Sequence, residues 1–177
     1  MRLVLSIALA TSISMALTGC GESSSASVGG QAVTPVSFDG SKYLLADEPD
    51  EAIGVIEARK SAKNGEPIVI VGRIGGAKNP WIDGRAAFML LDASLVLVAD
   101  GKECAAGEIC MDECCSVERA GSTTLVKVVD DRGSVLAVDA RQLLKVAEND
   151  MVVVTGNVSK DDAGNFVVLA KGVHVRR

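Results

Sequence analysis

The chain has 177 residues and is acidic, with 23 Asp and Glu against 18 Lys and Arg and a formal net charge of −5 at pH 7. An acidic surface repels phosphates, which excludes nucleic acid as a partner. A single histidine, His174, and the lack of a Gly-x-Ser-x-Gly motif leave no recognisable hydrolase machinery, so we expect no enzyme. The part after residue 37 suits one domain with a single core.

The N-terminal segment has the layout of an export signal. Arg2 is followed by a mostly apolar stretch, residues 3–16, that is too short for a membrane-spanning helix. Residues 17–20, LTGC, resemble the lipobox of bacterial lipoproteins. The resemblance implies that residues 1–19 are removed and that the Cys20 sulfur carries diacylglycerol as a membrane anchor. An ordinary secretory signal, with Cys20 in a disulfide, is the alternative.

Residues 20–37 are rich in Ser, Gly and Ala and have no apolar periodicity, which predicts a flexible tether behind the lipidated cysteine. A tether of this length places the domain about 20 to 25 Å from its anchor. The domain is therefore expected to be periplasmic or exposed on the cell surface. Gly21 follows the cysteine where aspartate would retain the protein in the inner membrane, and by resemblance to enterobacterial lipoproteins this favours the outer membrane.

The leading segment, residues 38–66, is predicted to contain a short amphipathic helix. Asp47 can cap its N-terminus and Pro49 suits its first turn. Asn64 and Gly65 supply a stop signal. A helix of this kind would lead into the rest of the domain.

The remainder of the chain is rich in β-branched residues separated by turn residues. We predict strands at residues 67–74, 86–91, 95–98, 123–129, 135–138, 151–158 and 166–175. Gly72 and Gly156 lie within strands, as expected where a barrel strand bends, and residues 140–147 predict a short helix. This order resembles the OB-fold. The expected fold class is all-β, a small five-stranded OB-like Greek-key barrel at residues 67–177 with a short N-terminal helix and a Cys-rich loop insertion at residues 99–122.

Residues 72–95, GRIGGAKNPWIDGRAAFMLLDASL, together with a cysteine cluster downstream, are similar to an uncharacterised family of secreted proteins and lipoproteins from planctomycetes. The resemblance implies no activity and no site residues. The glycines of residues 72–76 lack the Gly-Lys-Ser/Thr ending of a phosphate loop, so they are predicted to serve barrel curvature and the exit into a loop.

Four cysteines, Cys104, Cys110, Cys114 and Cys115, form a C-x5-C-x3-C-C cluster within the predicted insertion. Lipidation removes Cys20 from the count, and an even number of cysteines in an oxidising compartment favours disulfides. A bond between the vicinal Cys114 and Cys115 would be strained. We therefore expect Cys104 and Cys110 each to bond one member of the vicinal pair.

A thiolate metal site for zinc or copper is the alternative for these four cysteines, with Met111 as a soft extra ligand. The absence of a C-x2-C knuckle and the vicinal pair argue against it, and reactive redox thiols are a third possibility. Five acidic side chains share the loop: Asp100, Glu103, Glu108, Asp112 and Glu113. Because they lack EF-hand spacing, they predict a solvated surface rather than a calcium site. No other cofactor is expected.

The loop after the first barrel strand, residues 77–85, carries Lys78, Trp81 and Arg85. In an OB-fold the loops between strands one and two and between strands four and five flank the ligand face. An indole beside two cations can stack on a sugar or a peptide, so these three residues are candidate ligand-binding residues. The alternative is that Trp81 packs as a lid over the barrel end.

Together these features predict a membrane-anchored extracytoplasmic lipoprotein with a non-catalytic binding or envelope-structural role. Its expected partners are the membrane, through the lipid anchor, and a protein or glycan of the cell envelope. A metal-binding lipoprotein that uses the four clustered cysteines is the alternative function.

Overall fold

A computed structural model describes residues 39–98, 101 and 104–177. The predicted export signal, Cys20 and the tether lie outside the described residues, as do Asp100 and Glu103. In chain order the regular elements are β1 Ile53–Gly54, α1 Val55–Ser61, β2 Pro67–Ile74, β3 Ala87–Asp92, β4 Val96–Leu97, β5 Glu108–Ile109, α2 Ser116–Ser122, β6 Thr123–Val128, α3 Ala140–Leu144, β7 Met151–Lys160 and β8 Phe166–Arg176. Among these described segments, no helix has the length and apolar character that crossing a membrane requires.

Five of the strands close into a barrel. Strand β2 pairs antiparallel with both β3 and β7, β3 pairs antiparallel with β6, and β7 pairs antiparallel with β8. Strands β6 and β8 are parallel neighbours, and helix α3 lies between β6 and β7 in the chain. This topology confirms the predicted all-β fold, a small five-stranded OB-like barrel.

The barrel core consists of the side chains that point inward at alternate positions along each strand. In β2 the side chains of Ile68, Ile70 and Ile74 point inward and are buried, whereas the intervening residues are partly exposed. Fully buried side chains from the other strands complete the core, among them Phe88, Leu90, Val126, Val128, Val152, Val154 and Val168. Burial of these apolar side chains is the main stabilising contribution to the barrel.

Two glycines within the barrel strands, Gly72 and Gly156, allow neighbouring strands to approach closely. The register of β7 against β8 shifts between Thr155 and Gly156, and a Cβ on Gly156 would lie only 2.8 Å from the carbonyl carbon of Leu169. A Cβ on Gly72 would lie 2.5 Å from the carbonyl oxygen of Leu91. A side chain at either position would therefore push two barrel strands apart.

Helix α1 begins at Val55, so the predicted start near Asp47 is wrong. Its N-cap is Gly54, which has no side chain, and the carboxylate of Asp92 accepts a hydrogen bond from the Ile56 N–H at 2.8 Å instead. A Cβ on Gly54 would lie 2.6 Å from that carboxylate oxygen. A carboxylate brought in by the sheet thus replaces the local cap that the sequence predicts.

The leading segment runs along the last strand. Tyr43, in a 3-10 turn at Gly40–Tyr43, is buried, and the Leu45 N–H donates to the Val173 carbonyl at 2.9 Å. The carboxylate of Glu48 pairs with the Arg176 guanidinium at 2.6 Å. The chain before α1 is therefore tied to β8 rather than only leading into the barrel.

Two predicted strands differ from the structure. The strand predicted at residues 135–138 is wrong, since only Val135 forms a bridge, to Val129, before the chain turns into α3 at its N-cap Asp139. The strand predicted at residues 95–98 forms the two-residue β4, which pairs with β5 in a separate parallel ladder. The connection between β3 and β6, residues 93–122, contains the predicted Cys-rich insertion and is called the insertion below.

Candidate functional site

The four clustered cysteines meet within the insertion. Cys104 precedes β5, Cys110 directly follows it, and Cys114 and Cys115 lie in a 3-10 turn that leads into α2. Cys110 is fully buried, Cys115 is half-buried, and Cys104 and Cys114 are exposed. Two short elements, β5 and the turn, thus bring thiols that are up to eleven residues apart to one place.

The sulfur atoms lie in mutual contact. The Sγ of Cys115 is 2.9 Å from that of Cys110, 3.7 Å from that of Cys104 and 3.9 Å from that of Cys114. The Sγ atoms of Cys110 and Cys114 are 3.9 Å apart. The ligand atoms of Cys104, Cys110 and Cys115 all lie within 4.8 Å of one another, a spacing that one metal ion can bridge.

The two disulfides that the sequence favours are not formed. None of the sulfur separations given above is that of a disulfide bond, since even the shortest, 2.9 Å between Cys110 and Cys115, is well beyond a disulfide bond length. Geometrically, the four sulfurs converge as one group instead of separating into two pairs. The alternative that the sequence leaves open, a common site for all four thiols, fits this geometry.

The thiols are electrostatically unequal. Hydrogen bonds from the thiol and the backbone N–H of Cys110 lower the pKa of Cys115. Desolvation, together with the neighbouring Cys110 and Cys115, raises the pKa of Cys104 to about 12, and hydrogen bonds with the same two residues raise that of Cys114 to about 11. The surroundings therefore favour the ionised form of Cys115 and the neutral forms of Cys104 and Cys114.

The polar groups of the insertion hold its backbone. The Arg119 guanidinium donates to the carbonyl oxygens of Cys110 at 2.9 Å and Asp112 at 3.2 Å. The Asp112 carboxylate accepts from the Gly101 N–H at 2.7 Å, and the Glu108 carboxylate accepts from the Ala105 N–H at 3.1 Å. These two acidic side chains thus act as backbone acceptors. Glu113 is exposed, and Met111 is half-buried.

Trp81 belongs to the core. Its side chain is 9% exposed, its ring lies 6.3 Å from that of Phe88, and the Arg141 guanidinium lies 5.4 Å from its ring centre. Lys78 and Arg85 are exposed on the same loop. This arrangement matches the lid alternative, because a buried indole offers no open face on which a sugar could stack.

A groove crosses the outer face of the barrel over β3 and β6. Two cavities of about 660 and 510 Å³ share Leu125 and Lys127 in their linings and therefore adjoin; together we call them the outer groove. The pairing of Met89 with Leu125, and of Leu125 with Val167, sets an apolar row across three strands. The smaller cavity is mostly apolar, whereas polar and apolar side chains line the larger one about equally, and Lys127 adds a cation to both.

Two loops bound the outer groove at its ends. Ile82 and Arg85 from the β2–β3 loop line the smaller cavity, and Asp161 and Asn165 from the β7–β8 loop line the larger one. These are the loops that the OB-like pattern predicts beside a ligand face. Of the three candidate ligand-binding residues, Arg85 lines the outer groove, whereas Lys78 and Trp81 do not.

Sequence reasoning missed the floor of the outer groove. Leu125 and Lys127 are half-exposed, while their neighbours Val126 and Val128 are fully buried. The alternation of apolar and polar residues along β6 distinguishes the two faces of the strand, and Lys127 marks the outer face. Which neighbouring strands extend that face follows only from the barrel topology.

His174, the one histidine, has a structural contact. Its Nδ1 lies 3.1 Å from the carbonyl oxygen of Leu45, so the ring helps to hold the leading segment against β8.

Comparison of the chain with models of known protein families finds no match, and comparison with curated proteins finds none either. The function is therefore argued from the chain itself.

Proposed function

We propose that this protein is a membrane-anchored extracytoplasmic lipoprotein whose OB-like barrel binds a polypeptide segment in the outer groove. The observation that carries the binding role is the pair of adjoining cavities over β3 and β6, which share Leu125 and Lys127. Concave sites that are lined by apolar side chains and a few polar groups are the usual form of a binding site. The role is binding without catalysis.

A polypeptide suits the outer groove better than a glycan does. Sugars bind in proteins largely through stacking on exposed aromatic rings. The aromatic residues of the described chain, Tyr43, Trp81, Phe88 and Phe166, are all buried. The outer groove instead offers apolar side chains beside the Lys127 ammonium, which suits an apolar segment that carries a carboxylate.

The anchor determines where this binding occurs. The LTGC motif supports lipidation of Cys20, and the tether would leave the barrel free to reach partners about 20 to 25 Å from the membrane. Metabolic labelling with a radioactive fatty acid tests the anchor. We expect label in the wild-type chain and none in Cys20→Ser, whereas equal labelling of both would refute lipidation at Cys20.

Binding in the outer groove is tested by a photo-crosslinking amino acid placed at position 125 in the full-length, membrane-bound protein. We expect a discrete cross-linked polypeptide from position 125 and none from position 171, an exposed position on β8 that does not line the outer groove. The identified partner is then titrated against the purified protein by calorimetry. Lys127→Glu should weaken its binding at least about 10-fold, and Lys171→Glu should not.

Equal cross-linking from positions 125 and 171, or affinity that Lys127→Glu leaves unchanged, would place the binding surface elsewhere. Cross-linking to glycan alone would show that the partner is a glycan of the cell envelope and not a polypeptide.

A further inference from the structure

Three of the sulfur separations in the cluster match the edges of a tetrahedral metal site. Around a zinc ion with Zn–S bonds of about 2.3 Å, regular geometry places the sulfurs about 3.8 Å apart. Three separations in the cluster are 3.7, 3.9 and 3.9 Å. We infer that Cys104, Cys110, Cys114 and Cys115 together bind one Zn²⁺ ion in a tetrathiolate centre.

The remaining close pair, Cys110 and Cys115 at 2.9 Å, has to open by about 1 Å to reach the tetrahedral edge. Cys110 directly follows the short strand β5 and Cys115 lies in a one-turn 3-10 helix, so a small rotation of either side chain suffices. Zinc binding itself drives this opening, because each sulfur then contacts the ion instead of its neighbour.

The vicinal cysteines are compatible with one ion. In the turn Glu113–Cys115 the Sγ atoms of Cys114 and Cys115 are 3.9 Å apart and face the same point. Adjacent residues usually point apart, but the change from the turn to the start of α2 at Ser116 brings both thiols to one side. The turn therefore removes the main objection that the sequence raises against a metal site.

Four cysteine ligands define the chemistry of the centre. Thiolates in a tetrahedral set favour zinc among the common divalent ions, and a complete set of four leaves no open position for substrate, so the centre is structural. A multi-iron cluster would hold thiolates that bind different irons farther apart than 3.9 Å, since irons and sulfides lie between them. On zinc binding the four thiols release four protons to solvent, and the centre carries a net charge of 2−.

The protein supplies a partner for that charge. Arg119 holds the backbone on both sides of the site through the carbonyls of Cys110 and Asp112, which places a guanidinium beside the centre. Partners of this kind orient the ligands of a metal site and tune its affinity. None of the four cysteines lines the outer groove, so the zinc centre is separate from the proposed binding surface.

The first experiment measures metal and thiols on the full-length chain, purified in detergent without chelator. Elemental analysis should give about one zinc per chain, and four clustered thiols should titrate after unfolding. Replacement of zinc by Co²⁺ should give the visible absorption bands of a tetrahedral thiolate site. Copper instead of zinc would overturn the choice of ion. A metal-free chain whose mass is four hydrogens lower would overturn the centre in favour of two disulfides.

A second experiment compares two variants of the insertion. Asp112 is the matched control, because its carboxylate lies near Cys110 and Cys114 and could replace a thiolate as a ligand. We expect Cys104→Ser to lower the zinc content of the purified chain at least about 10-fold, and Asp112→Asn to leave it at one per chain. Cys104→Ser exposes no new surface, since Cys104 is already exposed. Full zinc in Cys104→Ser with loss in Asp112→Asn would overturn the four-cysteine assignment.

Discussion

The barrel and the insertion are stabilised in different ways. The barrel buries apolar side chains from all five of its strands, including Phe88, Leu90 and Val154. The described part of the insertion contains two strands of two residues and one helix of seven, and buries only Ile109, Cys110 and Ser122. Since the insertion has little apolar burial, polar contacts such as the hydrogen bonds of Arg119 contribute more to its order than they do in the barrel.

The largest expected effect is on the insertion when metal is removed, and this prediction rests on the zinc centre. The free energy of zinc binding is free energy of folding for a segment without a core of its own. Dialysis against a strong chelator should therefore abolish the hydrogen-exchange protection of residues 104–122 and leave that of β2, β7 and β8 unchanged. Added zinc should restore the protection. An insertion that stays protected without metal would show that hydrogen bonds alone hold it.

The barrel should respond to loss of core volume instead. Phe88 is fully buried against Trp81, so Phe88→Ala should lower the free energy of unfolding by about 3 to 5 kcal/mol. Urea denaturation measures the loss, and the zinc content of the folded chain should stay the same. Met89→Ala, on the outer face of the same strand, is the matched control and should lower the free energy of unfolding by less. Equal costs for the two would contradict the inward and outward assignment of β3.

Asp92 connects the barrel to α1 and makes stability depend on pH. Partial burial raises its pKa, but hydrogen bonds from Ser94 and the Ile56 N–H outweigh this and hold the pKa below its ordinary value. The stabilisation is therefore complete above the unfolded value, about 3.9, and is lost as the pH falls through the folded value. Asp92→Asn should cost about 1 to 3 kcal/mol at neutral pH.

Acid unfolding, followed by circular dichroism, checks this sign. The stability gap between wild type and Asp92→Asn should narrow below about pH 4, since protonation of Asp92 removes the same interaction. A gap that is constant with pH would mean that packing, not charge, is responsible.

The smallest expected effect is a gain in the stability of the insertion. A Cβ on Gly121 in α2 would meet no heavy atom within 4 Å, so Gly121→Ala should stabilise the helix by up to about 1 kcal/mol. Gly156→Ala is the counterpart in the barrel and should destabilise it, because its Cβ would press on the Leu169 carbonyl. Hydrogen-exchange rates within α2 measure the effect of Gly121→Ala, and the urea midpoint of the barrel measures the effect of Gly156→Ala. A loss of protection in α2 would contradict the open space beside Gly121.

The sequence identified the barrel strands because their signal is local. Alternating β-branched residues located β2 at residues 67–74, and Gly156 marked the irregularity in the pairing of β7 with β8. The same local reasoning placed the helix near Asp47, where a good cap is present, but the Asp92 carboxylate 36 residues away from Ile56 in the chain begins the helix at Val55. Local sequence signals cannot predict a helix cap whose side chain is brought to the helix by strand pairing.

By itself, the amino-acid sequence determined the positions of the five barrel strands along the chain, the all-β class and the presence of four clustered cysteines, since each follows from residue types and spacing. Only the tertiary structure decided that the four sulfurs converge, that Trp81 is buried and that Leu125 lies at the centre of a groove. The physical reason is common to all three. Each depends on side chains from segments that barrel closure or turn geometry brings together, and spacing along the chain does not encode that approach.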